Sequence, residues 1–209
     1  MTVLLATTNQ GKLREIMPLV QALPITWKTL ADLAPIAVPE ETGATFRENA
    51  RIKALAYAAA SGLPVVAEDS GLVIDALGGA PGIHSARFLR DDASYPERFA
   101  EIERRLARQP GASRDARFVT ALAVAKGSSI IFETEASVAG TVLPEPRGTG
   151  GFGYDPIFLY RPWGRTTAEL SLEEKAAISH RGRAFRDFRK ACLAGAIQFT
   201  ESSGRGSAW

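Results

Sequence analysis

A mixed α/β fold is predicted for this chain, with parallel and antiparallel strands in one sheet and helices packed against it. Three features carry that prediction. Residues 3–6 are a short apolar run, and after a polar turn Leu13, Ile16, Met17 and Val20 recur at helical spacing, giving strand, loop and helix in that order. Residues 116–125 and 129–139 are strand-like runs separated only by Lys126, Gly127 and Ser128, the pattern of a long antiparallel hairpin. Helix signals stand between and after these runs. With 209 residues, 45% hydrophobic and 23% charged, the chain is long and apolar enough to bury the core of one globular domain.

After the first strand and helix, Thr45 and Glu48 form a capping box at the head of an alanine-rich stretch, so a helix is predicted over 46–60, closed by Gly62 and Pro64. Residues 64–67 read as a buried strand ending in the acidic pair Glu68 and Asp69. A turn is expected at Ser70 and Gly71, then a separate strand over 72–74. Three glycines and a proline make 76–84 a loop. Ser94 and Glu97 are a second capping box, opening a helix to about residue 108 whose inner face is Phe99, Ile102 and Leu106. Beyond the hairpin, the glycine- and proline-rich residues 143–154 predict a mobile or substrate-contacting loop leading to a strand over 156–160. Ser171 and Glu174 start a helical turn, and a last helix is expected over 180–193. Residues 1–201 are therefore taken as one domain, and the polar, low-complexity residues 202–209 as a disordered tail.

The formal charge of +2 is far below that of a protein whose main partner is a nucleic acid backbone; a small phosphate-bearing ligand suits it better. Cys192 is the only cysteine, so neither an internal disulfide nor a thiolate zinc cluster can form, and His84 and His180 have no metal-ligand spacing. A cytoplasmic protein is expected: the N-terminus has no basic leader region, and no run of 18 apolar residues supports a membrane span. His84 and Cys192 are assigned to structure.

Several strings carry candidate chemistry. Thr7, Thr8, Asn9, Gln10, Gly11 and Lys12 lie between the first strand and helix, where free N–H groups and the Lys12 ammonium would cradle a phosphate; as an isolated string, such a turn is more often purely structural. Glu40, Glu41, Glu48, Glu68 and Asp69 offer hard oxygen ligands for magnesium, the first three being open to the reading of solvated surface charges. Glu68 and Asp69 end an apolar strand, where unpaired charge would be costly. Lys12, Arg51, Lys53, Lys175 and Arg181 are cations that could meet a triphosphate. Phe152, Gly153, Tyr154 and Asp155 combine a stacking face, a close-approach glycine and a carboxylate, the parts of a base site or of an aromatic-anchored turn. Ser179, His180, Arg181 and Gly182 are a donor cluster or a helix cap.

In this order, these strings resemble the inosine/xanthosine triphosphate pyrophosphatase family, also called Ham1-like, which acts on non-standard purine nucleotides. The carrying residues are Ala6 with Thr7 to Lys12; Glu40, Glu41, Thr42 and Gly43; Thr45, Phe46, Glu48, Asn49 and Ala50; and Ala67, Glu68, Asp69, Ser70, Gly71 and Leu72. Leu77, Gly78, Gly79, Ala80, Pro81 and Gly82 follow, then Gly151 to Pro156, then Glu173, Glu174 and Lys175 with Ser179 to Gly182. The resemblance implies an elongated α/β fold, two lobes around a mixed sheet with a nucleotide-binding cleft between them, usually as a homodimer. It implies Mg²⁺-dependent hydrolysis of inosine or xanthosine triphosphates to monophosphate and pyrophosphate. It puts the triphosphate on Thr7, Thr8, Asn9, Gln10, Gly11 and Lys12, the metal on Glu40 and Asp69, and the base against Phe152, Gly153, Tyr154, Asp155, Lys175, His180 and Arg181, with Ser70 also touching substrate. Asp69 would activate the water, and Lys12 and Lys53 would stabilise the leaving phosphates.

Two departures stand out: Thr8 where many members have glycine, and Glu68 where some have aspartate. Arg181, a donor-only group, would satisfy a 6-keto oxygen and oppose the 6-amino group of adenine. Two rivals are less favoured, because the Phe152 to Asp155 and Ser179 to Arg181 strings suit a purine and the metal carboxylates argue against a mere binder. One is a Maf-like pyrophosphatase of pyrimidine or modified nucleotides; the other is a nucleotide sensor or RNA-binding module using Arg183, Arg186, Arg189 and Lys190.

Overall fold

The computed structural model describes residues 1–199, so the tail predicted over 202–209 lies outside the described residues. The elements run β1 (Thr2–Leu5), α1 (Gln10–Val20), β2 (Thr26–Thr29), α2 (Phe46–Ser61), β3 (Val65–Ile74), α3 (Tyr95–Leu106), β4 (Asp115–Lys126) and β5 (Ser129–Val142). They end with β6 (Phe158–Tyr160), β7 (Arg165–Thr166), α4 (Leu172–Ile178) and α5 (His180–Leu193). The strands form one seven-stranded sheet in the order β2-β1-β3-β4-β5-β6-β7. β1 is parallel to β2 and β3, and all other pairs are antiparallel, so the sheet is mixed as predicted.

The helix starts follow from side chains that satisfy the otherwise free N–H groups of a first turn. The side chains of Asn9, Thr45 and Ser179 accept hydrogen bonds from the N–H groups of Lys12, Glu48 and Gly182. Ser94 with Glu97 and Ser171 with Glu174 are reciprocal capping boxes. Gly62, at φ 68°, ends α2 in the left-handed conformation.

Two expectations are corrected. There is no turn at Ser70 and Gly71: β3 is one strand of ten residues, paired with β4 from Val65–Ala125 to Ile74–Ala116. Glycine at position 71 serves closeness rather than turning, because a Cβ there would lie 2.3 Å from Ser85 Oγ and 2.5 Å from the Gly82 carbonyl. The strand expected over 156–160 starts later, since Asp155–Ile157 is a 3₁₀ turn that precedes β6. The sequence reading also missed β2 and β7, both too short to show periodicity.

Three apolar clusters pack against the sheet. One lies under α2, a second under α1 and α5, and a third joins the far ends of β3 to β6 with α3. β3 contributes to all three by alternation: Val65, Ala67 and Val73 face α2, whereas Val66 faces α1 and α5 and Leu72 and Ile74 enter the third cluster. Glu68 and Asp69 therefore leave the sheet on opposite faces. β1 pairs with β3 only at Val65 and Val66, and farther along the Val73–Pro81 bridge and the Leu72 N–H to Ser85 Oγ bond (2.9 Å) cover the same edge. Residues 67–71 lie between, with no strand on that side among the described residues. A cleft opens at this gap.

α5 packs so closely on α4 that a Cβ at Gly182 would come within 1.9 Å of the Ala176 carbonyl oxygen. Gly182→Ala is expected to lower stability by about 2–3 kcal/mol, measured by urea denaturation; a midpoint equal to wild type would contradict this packing.

Candidate functional site

The cleft is a cavity of about 280 Å³ whose walls come from both faces of the sheet. Its floor starts at the turn after β1. Thr7, Thr8, Asn9 and Lys12 line it, whereas Gln10 is exposed and Gly11 lies beneath. Thr7 Oγ1 accepts from the Asn9 N–H at 3.2 Å, and Asn9 Oδ1 from the Lys12 N–H at 3.1 Å. Gly11 makes room: a Cβ there would stand 2.6 Å from the Phe152 ring, so its absence lets that ring lie against the first turn of α1.

On the α2 face, Asn49 and Lys53 both reach Asp69. Asn49 donates to Oδ2 at 3.3 Å and the Lys53 ammonium donates to Oδ1 at 3.0 Å. Lys53 also donates to Glu41 at 2.8 Å, and Arg87 approaches Glu41 at 3.5 Å. Burial raises the pKa of Asp69 and the nearby Glu41 adds to this, so one shared ammonium does not bring it back to the ordinary aspartate value. Glu41 is itself lowered, because Lys53 outweighs its burial.

Glu40, expected to share a metal with Asp69, is exposed and outside the cavity; Glu41 lines it instead. Glu48 is also spent elsewhere, accepting the Ala44 N–H at 2.7 Å beside the α2 cap. Among the described residues, no three acidic, histidine or cysteine side chains cluster as a metal cage. Glu41 and Asp69 nevertheless point their oxygens at one cation, the Lys53 ammonium. That donor set fits magnesium, which keeps several waters and takes one or two carboxylates together with substrate phosphates.

On the opposite face Glu68 accepts from Arg181 Nε at 3.2 Å and Nη2 at 3.1 Å, and from the Thr120 hydroxyl at 2.5 Å. Lys12 pairs with it at 3.0 Å. Burial would raise its pKa, but Arg181 and Lys12 overcome this and hold it far below the usual carboxylate range. Arg181 donates further to Glu15 at 2.6 Å and Ser70 at 2.9 Å, so a single Nη1–H is left without a protein acceptor among the described residues. Glu15 pairs with Lys175 at 2.5 Å, and Lys175 with Asp155. Asp155 in turn accepts from the Phe152 N–H and the Thr167 hydroxyl, each at 2.7 Å, fixing the loop that holds Phe152. Lys175 and Arg181 lie 5.1 and 5.6 Å from the centroid of that ring. Tyr154 donates its hydroxyl to the Ser85 carbonyl at 2.9 Å. His180 stacks on Phe118 at 5.0 Å; burial and Arg181 keep its pKa well below the ordinary value, so its ring is neutral. Its Nδ1 is buried with no hydrogen-bond partner among the described residues.

The tertiary structure thus brings Thr7, Thr8, Asn9, Lys12, Lys53, Asp69, Ser70, Phe152, Gly153, Tyr154, Asp155, Lys175, His180 and Arg181 around one cavity. Sequence reasoning missed Glu15, Tyr95 and Phe118. Glu15 had a readable signal: it lies one turn after Gly11, beside Ile16, on the buried face of α1. On α5, Phe185 and Phe188 are fully buried and Arg183 and Arg186 donate to the carbonyls of Ser137, Ala176 and Ala177, while Arg189 and Lys190 are exposed.

A mixed sheet with cations, carboxylates and an aromatic platform at one open edge defines an α/β protein with a cleft for a phosphate-bearing ligand. The Ham1 family model matches residues 3–191. A dITP/XTP pyrophosphatase of Gloeobacter violaceus is 49% identical over 192 residues, 92% of this chain and 94% of that protein, and one of Thermus thermophilus is 48% identical over 89% of each chain. A solved HAM1 protein from Coxiella burnetii superposes with a TM-score of 0.86 at 37% identity, covering 93% of this chain and 99% of that one. The chain belongs to the Ham1 family.

Glu15 and Glu68 both have pKa values lowered in the folded state from an ordinary 4.5. In Glu15, burial opposes the shift and the Arg181 and Lys175 charges prevail. The native state then binds fewer protons than the unfolded chain, so their stabilisation is present above about pH 4.5 and is lost as pH falls. The urea midpoint should begin to drop near about pH 4.5 and keep falling as the pH is lowered further. A flat profile would contradict the buried pairs.

Proposed function

We propose that this chain is a magnesium-dependent pyrophosphatase of non-standard purine nucleoside triphosphates, converting inosine, deoxyinosine or xanthosine triphosphate to monophosphate and pyrophosphate. The observation that carries this reading is the open edge of β3, where a phosphate-suited turn, a lysine-paired aspartate of raised pKa and an aromatic platform flanked by two cations share one cavity. The names of its relatives, dITP/XTP pyrophosphatases, support the same chemistry.

In the proposed reaction the triphosphate meets the Thr7 to Lys12 turn, where the N-terminal N–H groups of α1 and the Lys12 ammonium favour an anion. Magnesium held by Asp69 and Glu41 would neutralise charge on the phosphates. Asp69 takes a proton from water as the water oxygen bonds to the α-phosphorus and the bond from that phosphorus to the α–β bridging oxygen breaks. Pyrophosphate leaves with the bridging oxygen, its charge offset by Lys12 and Lys53, which exchange Glu68 and Glu41 for phosphate oxygens.

The base stacks at Phe152, beside the Lys175 ammonium and the one uncommitted N–H of Arg181. Both are donors without acceptor capacity, so a 6-keto oxygen is matched and a 6-amino group is not. An unmatched buried polar group costs about 1–3 kcal/mol, or about 5-fold to 150-fold in discrimination. We take residues 1–201 as one two-lobed catalytic domain working on the cytoplasmic nucleotide pool as a homodimer, and sedimentation of the purified protein checks the last point.

Pyrophosphate release from deoxyinosine, xanthosine, deoxyguanosine and deoxyadenosine triphosphates tests the proposal. Release should be fast from the first two, abolished by EDTA and restored by Mg²⁺. Asp69→Asn should lower kcat by at least about 100-fold. Equal turnover of deoxyadenosine triphosphate, or a fully active Asp69→Asn variant, would sink it.

A further inference from the structure

The charged side chains on the α1 and α5 face form one chain of alternating sign: Asp155, Lys175, Glu15, Arg181, Glu68 and Lys12. Glu15 occupies a singular place in it. It is only 7% exposed and is not part of the cavity wall, yet its carboxylate touches both Lys175 and Arg181, the two cations beside Phe152. These arrive from different elements, Lys175 from α4 and Arg181 from the first turn of α5. Among the described residues, only Glu15 bridges them.

We propose that Glu15 is a positioning residue for base selection, holding the Lys175 ammonium and the Arg181 guanidinium side by side against the Phe152 ring. The proposal rests on the reading of that wall as the base site. Two cations sharing one carboxylate repel each other, and the negative charge between them makes the arrangement stable. Without it, Lys175 keeps Asp155 and Arg181 keeps Glu68, and the pair separates toward those partners. The location in α1 gives this a second consequence. Gly11 and Glu15 lie one turn apart on the buried face of that helix; Gly11 seats the Phe152 ring and Glu15 seats the two cations facing it. One helix thus fixes the platform and its donors in a single frame, and the N-terminus of that helix carries the phosphate turn.

A carboxylate kept for stability alone is a poor account of this position. Buried ion-pair clusters often contribute no more than well-packed apolar side chains would, because each charge must first be stripped of water. A residue that sets where two donors stand has a separate reason to be charged.

The test compares kcat/KM for inosine and adenosine triphosphates in wild type and Glu15→Gln, with the crystal structure of the variant. Glu15→Gln keeps the shape and removes the charge; Glu15→Asp, which keeps the charge and shortens the reach, is measured beside it in case the first does not fold. The expected result is a fall of at least about fivefold in the inosine-to-adenosine ratio, with Lys175 or Arg181 displaced from Phe152. A wild-type ratio in the variants, or an equal loss on both substrates with both cations in place, would overturn the proposal and leave the function intact. Wild-type protein that does not prefer inosine over adenosine would overturn the base-site reading as well.

Discussion

The buried guanidinium of Arg181 is the interaction on which most of this architecture converges. It is 2% exposed and binds Glu15 from α1, Glu68 and Ser70 from β3, while its own backbone begins α5. Three separately folded segments are thereby tied at one point. The planar fork of arginine suits this task, because its donors lie in a fixed plane and can serve several acceptors without losing charge. Burial lowers its pKa, but Glu68 and Glu15 more than compensate, so the group stays charged in the interior. Such a cluster is costly to desolvate and holds only while each member keeps its partner. It therefore specifies geometry more than it adds stability.

The same arrangement explains how one cleft draws on both faces of a sheet. A strand sends consecutive side chains to opposite sides, and Glu68 and Asp69 would ordinarily be separated by the sheet itself. Here β1 stops beside Val66, and the returning segment covers the edge again only from Leu72. In the interval both carboxylates reach the same opening, one held by Arg181 and Lys12 and the other by Lys53 and Asn49. Their environments push their pKa values apart, Glu68 down and Asp69 up. Two neighbouring carboxylates of one strand thus stand in opposite electrostatic environments.

Much of this was written locally. Capping residues Asn9, Thr45, Ser94, Ser171 and Ser179 fixed where the helices start, because free N–H groups of a first turn are satisfied by the nearest side-chain oxygens. The hairpin around Gly127 was equally visible, since alternation and a short polar connection are both local. The motif strings gave the family and most of the cavity wall. In contrast, Gly71 misled: a glycine after serine looks like a turn, and nothing nearby in sequence reveals that Ser85 and Gly82 press against its Cα.

What the sequence alone determined, then, was the helices and most of the longer strands, the mixed character of the sheet and the chemical kinds gathered in the cleft, because these follow from periodicity, capping and residue type. Tertiary structure decided which partner each charge keeps. It chose Glu41 over Glu40, placed Glu15 between Lys175 and Arg181, committed most of Arg181 to protein acceptors and sent Glu68 and Asp69 to opposite faces. The physical reason is range: a cap or a strand pattern is settled within a few residues, whereas a buried ion pair joins side chains such as Glu15 and Arg181, 166 positions apart, that meet only when the whole sheet is assembled.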